Sequence, residues 1–177
     1  MRRSYITFLH IADLHLGRMA MGGKLKLPFD KAKKRQEEGF EVLKRALERA
    51  KELKVDVVLI AGDLWENDQI VPEQIGEVMR WIEEINVPVV LTPGNHDGVK
   101  EMGYHQPDML SLITGRRFPP NFHIFRNYQD FEVITLPQLE GVQFVGLAYQ
   151  DSQPVMERKL SQPLPLSQAE ITIGVLH

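Results

Sequence analysis

The sequence predicts an α/β fold: a βαβαβ unit followed by a part richer in antiparallel strands, within a single domain at 1–177. Three observations carry that expectation. The run VDVVLIA at 55–61 is apolar along most of its length, the pattern of a strand buried on both faces of a parallel sheet. On either side of it, apolar residues recur at helical spacing among charged ones. Beyond about residue 120 that spacing gives way to short strand-like runs. Strand and helix alternating through the first two-thirds is the pattern of a parallel sheet.

Taken in order, Ile6–Ile11 reads as the first strand. From about Asp30 to Lys54 the residues Phe40, Leu43, Leu47 and Ala50 fall on one helical face, with Lys and Glu between them. Val55–Ala61 is the second strand. Pro72 opens a second helix, where its missing N–H costs nothing, and the apolar stripe is Ile75, Val78, Met79, Ile82 and Ile85. Val87–Leu91 is the third strand, and Pro107 starts a short helix that Gly115 ends. Strands follow near His123–Phe125, Phe131–Leu136 and Val142–Ala148, with a hairpin turn around Glu140–Gly141. Asp151–Gln168 holds three prolines and little periodicity, so it is predicted as loop, and Ile171–Leu176 is the last strand.

Composition narrows the function classes. A chain of 177 residues, 43% hydrophobic and 25% charged, buries a sizeable core and is not disordered. Its net charge of −3 offers no global basic field for nucleic acid. The stretch Lys24–Arg35 and the pair Arg116–Arg117 are local exceptions, read as solvated faces. With no cysteine, disulfides, thiolate metal sites and thiol catalysis are excluded. The early run ITFLHIA is broken by His10 and closed by Asp13, too short and polar for a signal peptide or a membrane span. A soluble, intracellular (cytoplasmic) protein that engages no membrane is expected.

Three polar clusters share one address. Asp13-Leu14-His15 follows the first strand, Gly62-Asp63 ends the second, and Gly94-Asn95-His96-Asp97 follows the third. Ligands of open α/β sheets bind outside the carboxyl ends of the strands, so the three clusters are placed to converge. Asp63 can bridge two cations with its two oxygens. Asn95 offers a neutral oxygen, and His96 stands beside it as a proton donor. Glycines at 62 and 94 allow sharp turns and close approach. Carboxylate, imidazole and amide donors without sulfur suit manganese, iron or zinc better than calcium.

D-x-H, then G-D, then G-N-H-D resembles the calcineurin-like metallophosphoesterase superfamily. Within it, DLHLGR at 13–18, VDVVLIAGDLW at 55–65 and the helix RQEEGFEVLKRALERAKELK are similar to the SbcD-like nuclease subunits of DNA double-strand-break repair. Other branches often place glycine directly after the first histidine, where this chain has Leu16. The likeness is strong over 5–100 and thin beyond. It implies an α/β/β/α sandwich with mixed sheets, and phosphodiester hydrolysis by two divalent ions about 3.5–4 Å apart.

Carried over by position, the resemblance implies that Asp13 and His15 bind the first metal and that Asp63 bridges both. Asn95 and the strand-ending His177 would bind the second. His96 would be the catalytic histidine, stabilising the transition state or protonating the leaving oxygen, with Asp97 orienting it. The implied metal is manganese, with iron or zinc as alternatives, and the implied substrate is DNA ends. Implied partners are a coiled-coil, SMC-like ATPase and a second copy of the chain. The family's Gly-His-x-His motif does not occur before His177, which leaves each metal three of four protein ligands. The chain is therefore expected to be an amino-terminal portion, incomplete at its carboxyl end, that binds metal weakly and has little activity alone.

Glu66 stands where archaeal and eukaryotic members usually have histidine. His10 is expected to be buried or to support a ligand, and Trp65 to pack rather than stack on a base; His105 and His123 receive no role. Two other functions fit the residues. One is a phosphoesterase for nucleotides, phosphoproteins or other small phosphoesters; the other is a non-catalytic scaffold or interaction domain that keeps the fold.

Overall fold

Strands β1 (Phe8–Ile11), β2 (Val57–Ala61), β3 (Val89–Thr92) and β4 (Phe122–Ile124) form a parallel sheet in that order. The computed structural model describes residues 5–21, 27–97, 106–149, 161, 163 and 169–177. Parallel neighbours need crossovers. Helices α1 (Phe29–Glu52), α2 (Pro72–Ile85) and α3 (Pro107–Thr114) lie in the three connections.

α1 forms because Leu43, Leu47 and Ala50 repeat at helical spacing and are all buried, while its outer face carries ion pairs such as Arg49–Glu52 at 2.9 Å. Each buried leucine contributes about 1.5–3 kcal/mol, against a few tenths for an exposed pair, so the apolar stripe decides the packing. α2 begins at Pro72, with the Gln74 side chain accepting the Val71 N–H at 3.2 Å. The chain leaves it at Asn86 in the left-handed conformation (φ 53°). All five residues of its predicted stripe are buried. Asn121 ties the far end, donating to the carbonyls of Ile82 and Val87. Gly115 caps α3 with φ 63°, as its position after the helix predicts.

A second sheet holds β5 (Glu132–Thr135), β6 (Val142–Gly146) and β7 (Ile171–Val175) in that order. β5 and β6 pair antiparallel, consistent with the predicted hairpin, and β6 and β7 pair parallel. One apolar cluster fills the space between the helices and the first sheet, with Val58, Ile60, Val89 and Leu91 facing α1 and α2. The other lies between the sheets, where Val57, Leu59 and Val90 meet Phe144, Leu136 and Val175. The layers are thus helix, sheet, sheet. Both faces of β2 and β3 are buried, which is why their sequences lack alternation.

Two expectations change. β4 does not belong to the antiparallel part: it pairs with β3 through α3 and extends the parallel sheet to four strands. His10 is exposed rather than buried. It faces the same side as its register partner Leu59, but on the edge strand, and β7, the last strand of the second sheet, packs over β2. The predicted loop at 151–168 falls almost wholly outside the described residues, as does His105. No helix among the described residues is long and apolar enough to cross a membrane.

Candidate metal centre

At the carboxyl ends of β1 and β2 the two segments keep pairing after the strands stop. The amides of Asp13, His15 and Leu16 donate to the carbonyls of Gly62, Asp63 and Leu64, at 3.1, 2.8 and 2.9 Å. Glu66 returns a bond to the Leu16 carbonyl at 2.8 Å. Within this ladder Asp13, His15 and Asp63 all take positive φ, at 53°, 46° and 50°. Non-glycine residues rarely adopt that conformation; Asp and His tolerate it best, and it is often found at functional sites.

Asp63 is 3% exposed and divides its carboxylate between two tasks. Oδ1 accepts the His96 backbone N–H at 2.9 Å. Oδ2 lies 3.6 Å from Nε2 of His15 and 3.4 Å from Nε2 of His177. Ligating atoms of Asp13, Asp63 and His177 lie within 4.8 Å of one another, and so do those of His15, Asp63 and His96. All the sequence-predicted ligands except Asn95 therefore enter one of two groups that share Asp63. Asn95 joins through Oδ1, 3.2 Å from His177 Nε2.

His177 hangs from the end of β7, and its Nδ1 lies 3.2 Å from the Ala61 carbonyl. A carbonyl only accepts, so Nδ1 carries the proton and Nε2 presents a lone pair. That lone pair meets the oxygens of Asn95 and Asp63. Three acceptors pointing at one another need a proton or a cation between them. A divalent ion fits, because a histidine that donates its other N–H to a backbone carbonyl is the usual ligating form.

The two glycines make room for side chains. A Cβ on Gly62, which has φ 84°, would fall 2.1 Å from Nδ1 of His177. A Cβ on Gly94 would fall 2.2 Å from Oδ1 of Asp63 and 2.8 Å from Cδ2 of His177. Any side chain at either position displaces a candidate ligand. The sequence-level reading of close approach to an ion becomes close approach of the histidine and aspartate.

Asp97 acts differently from its expected role. Its Oδ1 accepts the Trp65 N–H and its Oδ2 the Gly94 N–H, each at 2.7 Å, and the residue is fully buried. It joins the loop after β2 to the loop after β3 and orients backbone, not the His96 ring. That ring is met instead by Glu66, whose Oε1 lies 2.7 Å from His96 Nδ1. Glu66 is the residue that sequence reasoning left without a role. The available signal was an acid three residues past Asp63, on the same loop. Trp65 is fully buried and packs, as expected. His123 is half-buried on β4, where desolvation holds its pKa below the ordinary histidine value.

Burial pushes the Asp97 carboxyl up from 3.8 to about 7; the charge of Asp63 adds to this, while the backbone donors oppose it. In the metal-free protein the unfolded group ionises near 3.8 and the folded one near 7, so between those values the folded state binds more protons. This contribution to stability is full at the acid end and is lost as pH rises through the folded value, by at most about 1.4 kcal/mol per pH unit. Urea titrations of the metal-free protein from about pH 4 to 8 should show that decline. In Asp97→Asn this part of the slope should vanish; an unchanged slope would assign it to another group.

A family model described as calcineurin-like phosphoesterase matches residues 6–163. The DNA double-strand break repair protein Mre11 of Methanopyrus kandleri is 26% identical over 176 residues, covering 95% of this chain and 36% of that protein. A subunit of the nuclease SbcCD of Staphylococcus epidermidis is 26% identical over 148 residues, covering 81% of this chain and 34% of that one. The chain thus spans about a third of the length of the curated relatives it matches. Among solved structures, TT1561 of Thermus thermophilus aligns over 96% of this chain and 57% of its own, with a TM-score of 0.50 at 12% identity, a likeness of fold. These relatives support the SbcD-like resemblance.

Proposed function

The chain belongs to the calcineurin-like phosphoesterase family, and on that premise we propose that it hydrolyses phosphodiesters with two divalent ions, as the nuclease domain of a double-strand-break repair protein acting on DNA ends. The observation that supports this reading most is the set of donor atoms gathered at Asp63 Oδ2, with His15 Nε2 and His177 Nε2 both facing it and Asn95 Oδ1 set against His177 Nε2. Manganese is the proposed metal because the family resemblance implies it; oxygen and nitrogen donors without sulfur suit it, and suit iron or zinc as well. Bound there, the ions supply Lewis-acid charge and make water a nucleophile at neutral pH.

The chain's own residues do the rest. Asp63 would be shared by both ions, and Asp13, His15, Asn95 and His177 would supply the other donors; around Asp63, Asp13 lies with His177, and His15 lies with His96. With Nδ1 engaged by Glu66, His96 keeps Nε2 for the phosphate, where it protonates the leaving oxygen. A positioned general acid of this kind contributes roughly 100- to 10,000-fold. The repair assignment follows the printed names of the archaeal and staphylococcal relatives, one of them part of a nuclease. With it come an SMC-like ATPase and a second copy of the chain as proposed partners.

The test is manganese-dependent cleavage of linear duplex DNA by the full natural protein, run beside a small chromogenic diester. Nucleotide release from DNA ends is expected. Turnover of the small diester alone would move the reading to small phosphoesters, and turnover of neither would favour a non-catalytic domain.

A further inference from the structure

Glu66 is 7% exposed, and its two oxygens face two different imidazoles. Oε1 lies 2.7 Å from Nδ1 of His96. Oε2 lies 3.3 Å from Nδ1 of His15, within ion-pair reach but outside hydrogen-bond geometry, and both atoms are buried without a hydrogen-bond partner. The rings meet edge to face, with centroids 4.6 Å apart. The exposed Arg18 approaches the same Oε2 with its Nε at 3.7 Å. A carboxylate oxygen accepts, so the His96 Nδ1 bonded to Oε1 carries a proton. At His15 the unpartnered Nδ1 faces the equally unpartnered Oε2, the acceptor a proton there would take. Both rings are then held with Nε2 unprotonated or available on the opposite edge. For His15 that edge points at Asp63 Oδ2.

We propose that Glu66 is a positioning residue that fixes the tautomer and rotation of both His15 and His96, so that one carboxylate couples a metal ligand to the proton donor. The proposal rests on the phosphodiesterase reading above for its consequence, but its geometry stands on the contacts alone. A carboxylate behind a ligating histidine raises the basicity of the ligating nitrogen, and losing such a partner typically costs about 10- to 100-fold in metal affinity or activity. The same carboxylate stabilises positive charge on His96 while that ring holds a proton for the leaving oxygen.

The test uses Glu66→Gln, Glu66→Ala and the conservative Glu66→Asp in the full natural protein, with two kinds of readout. Nitrogen-detected NMR of the metal-free protein should show His15 and His96 as Nδ1–H tautomers in the parent and a mixture in Glu66→Ala. At saturating manganese, Glu66→Ala should lower kcat on DNA about 10- to 100-fold, with KM little changed. At the same saturating manganese, which offsets the weaker ion binding through His15, hydrolysis of a p-nitrophenyl diester, whose leaving group needs no proton, should fall less than about threefold. Manganese affinity by calorimetry should fall in Glu66→Ala and recover in part in Glu66→Asp. In a His96→Ala background, Glu66→Ala should add little to the loss on DNA.

Unchanged tautomers in Glu66→Ala would overturn the proposal, as would equal losses on DNA and the p-nitrophenyl diester. Should the parent protein cleave neither substrate, the phosphodiesterase reading fails, and the tautomer measurement still decides the role of Glu66.

Discussion

Asp63→Ala is expected to lower manganese-dependent phosphodiester hydrolysis by at least about 1,000-fold, a loss of about 4 kcal/mol of transition-state stabilisation. The expectation comes from how much converges on one side chain. Oδ2 stands between the Nε2 atoms of His15 and His177, so its removal opens both proposed ion positions at once. Oδ1 holds the His96 amide, so the proton donor also loses its anchor. Alanine at φ 50° adds backbone strain to the lost contacts. Calorimetry on the same variant should show loss of tight manganese binding, and circular dichroism should show the fold retained. A variant keeping more than about a tenth of the parent rate would sink the assignment of Asp63 as the shared ligand.

The second large effect is on stability. Asp97→Ala should cost about 2–4 kcal/mol, because two buried backbone N–H groups lose short bonds worth about 1–3 kcal/mol each. The donors are those of Trp65 and Gly94, both at 2.7 Å. Part of the gross cost is returned, since burial opposes the charge on Asp97 and removing the group removes that penalty. Chemical denaturation near neutral pH measures it. Asp97→Asn should lie between the parent and alanine, keeping one acceptor and turning a donor toward the other N–H. If alanine costs less than about 0.5 kcal/mol, the loops after β2 and β3 do not depend on this carboxylate.

Much of this was readable from the chain alone, and the pattern of what was not is instructive. β2 and β3 announced themselves because both their faces are buried, and α2 because its stripe and Pro72 agree. The site's address followed from three polar clusters at strand ends. β4 was misplaced because FHI is three residues long, and a run that short carries no mark of which sheet it joins; the crossover through α3 decides that. The task expected of Asp97 falls to Glu66 for a related reason. Asp97 follows His96 in sequence, but the turn aims its carboxylate at Trp65 and Gly94, while Glu66 reaches His96 from another loop. Side-chain partners across loops depend on left-handed residues such as Asp63, which a residue pattern does not reveal.

Of the six residues gathered at the centre, Asp13, His15, Asp63, Asn95 and His96 leave the first sheet, and His177 leaves the second. Thr92 of β3 reinforces that junction by donating to the Val175 carbonyl at 2.7 Å. An ion held by both sides would act as a rivet between the layers, so its binding energy would also be energy of sheet docking. By mass action an ion at 100 times its dissociation constant adds about 2.7 kcal/mol to the riveted state. Chelation would then loosen the seam between the sheets before it disturbed either sheet.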